Sequence, residues 1–512
     1  MTVKARNLFL FSFYIFHFPF SISLAQPCNS LRYQQPIFDS IIKTADVVYG
    51  NAPRLTTVYI NENTTVDMDL KMDIFQPYDD TLSKRPAVIL AFGGGFLIGG
   101  KEDEDIQATC DSLAKRGYVT ASIQYRLGMN IVSSNSGERA VYRGTQDFSA
   151  ALRFIKEFAD SLRIDTNYIF IGGVSAGAIS ALHLTFGEEV DRPASTYGWS
   201  GIIPAPDLGC MNCSGNNYQH STRAKALINC WGAIGFTNWI ELSDSTPIIS
   251  FHGNFDLVVP YNCGFPFTAL ATLPMVCGSN AIAEQCDSIG LYNELYTFAG
   301  QGHNVWGTVV NNSFVGGPTQ YFEPIINSIS DFLYLFMKPK MPTISGNVTV
   351  CTNQTETYSV ANTNGSTYCW SITGGTIVSQ NNNSIDVLWD SIGIGELGVY
   401  EVNSFQAVGD IQIFVVEINA CTGVGEFKIE NSEFRVAPNP NDGIFTIKIP
   451  SQYSVLNTQI SIYNVLGEQV YQSAVSDQPS MVKIDISNEP KGIYFVKIIS
   501  INFVAVRKVT CH

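Results

Sequence analysis

From about residue 30 to residue 337, short apolar runs alternate with segments of helical period. Residues 87–92 (AVILAF) and 119–125 (VTASIQY) are continuous apolar stretches, as expected of strands covered on both faces. Between Asp147 and Leu162 the apolar positions Phe148, Ala151, Leu152, Ile155 and Phe158 fall on one side of a helix. Residues 168–172 (YIFIG) predict a further strand, and Ala176–Leu184 a helix of small residues. Residues 247–251 (PIISF) and 295–298 (LYTF) predict two more strands. Strand–helix alternation of this kind implies a doubly wound, mostly parallel sheet with helices on both faces, an α/β fold.

The pattern changes at residues 337–342 (MKPKMP), which read as a linker. Beyond it helical period almost disappears. Residues 343–418 hold short strands (TYSV, TYCWSI, IDVLW, GVYEV, IQIFVVE) between Asn, Gly and Ser, the pattern of a small all-β sandwich. A glycine- and asparagine-containing boundary at 419–433 precedes a second all-β segment, 434–512. The N-terminus has Lys4 and Arg6 ahead of a mostly apolar run, Leu8–Ile22, and a small-x-small site at Ser23-Leu24-Ala25. This predicts a signal peptide, residues 1–25, with a retained anchor as the alternative. The expected organisation is therefore 1–25 leader, 26–337 α/β domain, 343–418 sandwich and 434–512 β domain.

Composition narrows this picture. The chain of 512 residues is 45% hydrophobic and 15% charged, with a net charge of −15. That excludes the basic surface a nucleic-acid binder needs, and no later stretch is long and apolar enough to span a bilayer. In an exported chain, twelve cysteines favour disulfides. Cys351, Cys369 and Trp370 suggest a disulfide-and-tryptophan core for the sandwich. Cys210-x-x-Cys213 has no second pair to complete a zinc site, so no metal is expected.

The candidate chemistry begins at Gly173-Val174-Ser175-Ala176-Gly177, a G-x-S-x-G pattern between a predicted strand and helix. A sharp turn there lifts a serine hydroxyl out of the sheet, and flanking side chains would obstruct it. Serine needs a base, and the base needs a carboxylate to orient it. His17 lies in the leader, His512 is terminal, His183 follows Ser175 by two helical turns and His220 sits in a Cys/Asn-rich loop. His252 and His303 remain. Asp256 lies just past the strand 247–251, which neither Asp207 nor Asp244 does. His303 lies in a glycine-rich loop after the next strand. Ser175, Asp256 and His303 are the candidate catalytic residues, and His252 reads as support for the Asp256 loop.

Residues 68–305 resemble an α/β-hydrolase of the carboxylesterase and lipase group. The matching pieces, in order, are LKMDIFQP (70–77), AFGGGF (91–96), RGYVTASIQYRLG (116–128), AVYRGTQDFSAALRFI (140–155), GGVSAGA (172–178), HGNFD and GQGH. The resemblance implies that the backbone N–H groups of Gly94, Gly95 and Ala176 form an oxyanion hole. It also shows a departure: Phe92 stands where the group usually has histidine, so an imidazole anchor for the loop is missing. Arg126 and Asp147 occupy positions read as structural. Phe96 and Trp306 are candidate substrate-binding residues, with a core role equally open for Trp306. The segment from about 187 to 245 falls where such enzymes carry a lid or cap. A phosphate-binding reading of AFGGGFLIGG (91–100) fails, because Lys101 is followed by Glu102 where a P-loop needs Ser or Thr.

Residues 343–418 resemble an Ig-like or PKD-like sandwich, with a spacer or a carbohydrate-binding role. Residues 434–512 resemble the type A sorting domain of the type IX secretion system, in FRVAPNPNDGIFTIKI, ISIYNVLGEQVY, GIYFVKI and RKVTCH. The resemblance implies type IX machinery as a partner and a secreted or surface-attached product. The expected activity is that of a cofactor-free serine carboxylic ester hydrolase. Its expected substrates are acetyl or feruloyl esters of polysaccharide, or short acyl esters. A serine exopeptidase on the same fold and a non-catalytic adhesin are the alternatives.

Overall fold

Residues Arg85–Ala91 are buried at every position, as are Val119–Ile123. Both are central strands of an eight-stranded sheet. In chain order its strands are β1 (Ile41–Leu55), β2 (Thr65–Pro77), β3 (Arg85–Ala91), β4 (Val119–Ile123), β5 (Ile164–Val174), β6 (Leu227–Cys230), β7 (Ile248–Gly253) and β8 (Asn293–Phe298). Their order across the sheet is β1-β2-β4-β3-β5-β6-β7-β8. The first two pairings are antiparallel; β4-β3-β5-β6-β7-β8 is parallel throughout. The computed structural model describes residues 28, 30–55, 62–200, 204–267, 271–420, 434–448, 458–475, 481–499 and 504–512. The predicted leader lies outside them.

The chain leaves β3 toward β4 on one side and returns to β5 on the other. Beyond the carboxyl ends of β3 and β5 the connections therefore diverge and leave a crevice, where open α/β sheets place their ligands. The glycine loop follows β3, and Ser175 follows β5.

The helices are α1 (Glu104–Lys115), α2 (Ser134–Glu157), α3 (Ala176–Phe186), α4 (Ser279–Ile289) and α5 (Phe322–Leu335). α2 begins well before the segment with clear apolar period. Its first turns bury Arg139, Tyr142, Arg143 and Gln146, whose polar ends satisfy loop carbonyls. Arg139 donates to Ser195 O (2.8 Å) and Pro206 O (2.7 Å), and Arg143 to Gly128 O (2.6 Å). A buried face built from arginines carries no hydrophobic period. Strand β6 also departs from the expectation that 187–245 is wholly an insert. Its four residues, LINC, are all buried in the sheet, but the run is too short to signal itself.

The chain divides into two compact units at Ile418/Asn419. Within the first unit, the sandwich has a four-stranded and a three-stranded sheet around Trp389, Tyr358, Leu397 and Val399. Residues 337–342 do not begin as an open linker. Met337 is buried and its carbonyl accepts from Asn403 Nδ2 (2.9 Å). Phe405 packs against Tyr33 and Tyr168, with ring centroids 6.0 and 4.8 Å apart, and Tyr334 Oη donates to Val408 O (2.9 Å). A disulfide joins Cys28 to Cys369. Cys369 is thus bonded across the α/β–sandwich junction, and the tryptophan buried in the sandwich is Trp389. Cys351 is also disulfide-bonded. The other disulfides are Cys210–Cys213 and Cys263–Cys277, so the Cys-x-x-Cys pair is oxidised. Cys110, Cys230, Cys286 and Cys511 are buried free thiols.

In the second unit, sheets of three and four strands enclose Phe445, Ile447, Ile460, Ile462, Val496 and Ile498. Among the described residues no helix is long and apolar enough to cross a membrane.

Candidate active site

Ser175 sits at a sharp turn between β5 and α3 with φ 51° and ψ −117°. Its N–H donates to Cys230 O (2.9 Å), which ties the turn to the end of β6. The glycines around it allow the backbones to touch. A Cβ at Gly173 would lie 2.5 Å from Ala91 O, and one at Gly177 would lie 2.2 Å from the same oxygen.

Ser175 Oγ lies 3.0 Å from His303 Nε2, and His303 Nδ1 lies 2.6 Å from Asp256 Oδ2. Ionised Asp256 can only accept, so the Nδ1 proton belongs to His303 and Nε2 is left free to accept from the serine. Three residues from three separate loops therefore converge in a continuous hydroxyl–imidazole–carboxylate arrangement. The competing acids lie elsewhere: Asp207 pairs with Arg192, and Asp244 closes a turn with Glu241. His220 pairs with Glu157 (2.7 Å). Half-buried His183 bonds Ile179 O (2.8 Å) through Nδ1, and desolvation pushes it down to about 4.

Asp256 is held from four directions. Oδ1 accepts from the N–H groups of Val258 (2.7 Å) and Val259 (3.0 Å). Oδ2 faces two imidazoles, His303 and, at 3.2 Å, His252 Nε2. Burial by itself would raise this carboxyl. Hydrogen bonds from His252, His303 and Val258 and the charge of His303 oppose it, and the group falls below the usual carboxylate range. His252 is fully buried. Its Nδ1 accepts from Ser279 Oγ (2.7 Å), and that hydroxyl accepts in turn from Asn229 Nδ2 (3.0 Å). This leaves the His252 proton on Nε2, directed at Asp256 and at Val259 O (3.2 Å). The supporting place expected for His252 is what the structure displays. Asn229 and Ser279 escaped sequence reasoning, and only the spacing of HGNFD hinted at the pair His252–Asp256.

The glycine loop is anchored by Tyr125. The Phe92 ring stacks on Tyr125 at 4.3 Å, and Tyr125 Oη lies 3.0 Å from Phe92 O and 3.2 Å from Gly93 O. A tyrosine hydroxyl holds the backbone of a loop whose sequence offered no imidazole anchor. Gly94 has φ +104°, and a Cβ there would lie 2.1 Å from Ile98 O, so only glycine fits. Gly95 and Ala176 line a cavity beside Ser175, together with Phe96, Ile179, Val259 and Phe267. Gly94 is not among the residues that line it. Arg126 and Asp147 form a buried ion pair (2.8 Å) joining the end of β4 to α2.

Trp306 does not reach this cavity. It is buried between Trp231 and Phe322, at 4.9 and 5.5 Å, and its Nε1 donates to Asp105 Oδ2 (3.4 Å). Trp231, which sequence reasoning missed, also edges toward His303 at 6.4 Å. Burial is the main cause that raises Asp105 to about 6, above the ~3.9 of an unfolded chain. An acid with a raised folded-state pKa costs stability as pH climbs from ~4 to ~6, and the loss persists above that. Asp105→Asn should therefore be more stable than the parent at pH 7.5, by about 3 kcal/mol, and nearly equal at pH 4. Urea denaturation at the two pH values measures this; an equal difference at both would refute it.

Residues 72–245 match the family described as BD-FAE, residues 337–423 a PKD-like domain and residues 435–511 a secretion system C-terminal sorting domain. Gut esterase 1 of Caenorhabditis elegans is 24% identical over 247 residues, 43% of this chain and 44% of that protein. Gut esterase 1 of Caenorhabditis briggsae is 28% identical over 248 residues, with the same shares. The chain thus spans less than half the length of these relatives. An esterase of Thermogutta terrifontis with bound propionate is 21% identical, covering 52% of this chain and 89% of that one, with a TM-score of 0.35. The strand order, the serine turn after β5 and the three family matches agree: an α/β-hydrolase fold with a segment similar to the BD-FAE family, followed by a PKD-like domain and a C-terminal sorting domain that marks the chain for secretion or outer-surface attachment.

Proposed function

We propose that this chain is a carboxylic ester hydrolase working through Ser175, His303 and Asp256. The observation that carries the reading is the chain of contacts Ser175 Oγ–His303 Nε2 (3.0 Å) and His303 Nδ1–Asp256 Oδ2 (2.6 Å). Ser175 Oγ attacks the ester carbonyl carbon while His303 Nε2 takes its proton, and Asp256 holds the imidazolium. The N–H groups of Gly94, Gly95 and Ala176 receive the oxyanion, each worth on the order of 3 kcal/mol in the transition state. Collapse breaks the C–O bond, and the imidazolium returns its proton to the departing alkoxide. Water, deprotonated by His303, then attacks the acyl-serine, releasing the carboxylic acid and restoring the hydroxyl.

The cavity beside Ser175 has a volume of about 60 Å³ and is walled almost wholly by apolar side chains. Its size favours acetyl and other short acyl groups, with the alcohol side left open to a large moiety such as a polysaccharide. A feruloyl group would need more room than this slot offers. The type IX secretion machinery is the proposed partner for export, through the sorting domain.

A panel of acetyl, butyryl, octanoyl and feruloyl esters of one chromogenic alcohol, with aminoacyl anilides, tests the reading. Acetyl and butyryl esters should turn over at least about tenfold faster than octanoyl, in kcat/KM. Failure to turn over any ester overturns it, and preferential cleavage of the anilides replaces it with the exopeptidase alternative.

A further inference from the structure

Two cavities lie in series along α2 and α3. The slot at Ser175 meets Gly137 and Val141 on α2 and Ile179 on α3. A groove of about 670 Å³ meets Glu138, Tyr142 and Thr145 on α2 and His183 on α3. Four residues is about one helical turn, so Ile179 to His183 is a step of one turn away from Ser175. Three residues, Val141, Pro274 and Val276, belong to both linings.

We infer that Val141, Pro274 and Val276 form a wall that limits acyl chain length, and that the Cys263–Cys277 disulfide holds this wall in place. The inference rests on the ester reading for its catalytic meaning. The slot takes the acyl side because the leaving alcohol must sit at His303 Nε2 to be protonated, and His303 lines neither cavity. Beyond the wall the groove offers Met211, Phe236, Trp239 and Met275, apolar surface suited to the rest of a longer chain.

The wall is closed by packing and pinned by covalent structure. Ideal Cβ placement at Gly137 comes within 3.0 Å of Pro274 Cδ and 3.2 Å of Leu273 Cδ2, so the 273–276 segment lies directly on α2. Val276–Gly278 pairs with Cys263–Gly264 and with Ala233–Ile234, two residues in each case. Pairings so short are weak by themselves. The disulfide crosses the first of them, at the Cys277–Cys263 register position.

The test is the octanoyl-to-acetyl ratio of kcat/KM for esters of one alcohol. Val141→Ala should raise it at least about tenfold by joining the slot to the groove; an unchanged ratio overturns the wall. Cys263→Ser with Cys277→Ser should raise the ratio too, and no change there overturns the role of the disulfide. Octanoate binding to the Ser175→Ala chain, measured by calorimetry, reads the wall without turnover. Adding Val141→Ala should tighten it about tenfold, and equal affinity overturns the wall. If that tightening is seen while the wild-type chain hydrolyses no ester, the ester reading fails and the wall stands.

Discussion

Replacing Ser175 with alanine should lower kcat/KM for an acetyl ester by on the order of 10⁵-fold and leave folding intact. The turn carries φ 51° with either residue, and both have a Cβ, so the strain is the same. The backbone bond from residue 175 to Cys230 O (2.9 Å) does not involve the hydroxyl. What disappears is the hydroxyl oxygen that lies 3.0 Å from His303 Nε2 and is proposed to attack a bound carbonyl. The residual rate would come from the oxyanion donors and from binding alone. Steady-state kinetics alongside a thermal melt separate the two effects. Activity above a tenth of the parent's, in a chain that melts normally, would remove Ser175 from the mechanism.

Asp256→Asn should cost about 10³- to 10⁴-fold in kcat/KM, for a reason specific to this site. The carboxylate accepts two backbone N–H bonds on Oδ1 and faces two imidazoles on Oδ2. An amide has one accepting end and one donating end. With its oxygen toward Val258 and Val259, its NH₂ meets both histidines and forces the proton of His303 onto Nε2, where it blocks the serine. With its oxygen toward the histidines, its NH₂ meets two backbone donors. The variant should also be less stable. Because the folded Asp256 pKa is depressed, its contribution to stability is full above ~4, the unfolded value, and declines as pH falls through the folded one. The stability gap between parent and variant should therefore be widest at neutral pH and narrow below pH 4. Chemical denaturation at pH 7 and pH 3 tests the sign; a gap that widens in acid would show that Asp256 is not held as an anion.

Some of this site was legible because the chemistry leaves local marks. Backbone contact at the serine turn demands Gly173 and Gly177, since a Cβ at either would strike Ala91 O. Gly94 must reach φ +104°. Asp256 and His303 each follow a strand of the parallel sheet, so their loops open at the same edge. The features that were not legible have partners far along the chain and no period of their own. Tyr125 anchors the glycine loop from 33 residues beyond Phe92. The Asn229–Ser279 bond spans 50 residues. Trp306 stands three residues from His303, yet its ring turns into the core because Asp105 and Trp231 meet it there. The disulfide Cys28–Cys369 spans 341 residues, a pairing that no spacing rule selects.

By itself, then, the sequence determined the alternation that makes a parallel sheet, the glycines at the serine turn and the strand-end loops that carry Ser175, Asp256 and His303. These are consequences of backbone geometry, and backbone geometry is written in neighbouring residues. Only the tertiary structure decided that His252 shares Asp256, that Tyr125 carries the glycine loop, and that Val141, Pro274 and Val276 stand between a small slot and a large groove. Those outcomes depend on which side chains meet across the fold, and packing sets them through distances and volumes that no local pattern contains.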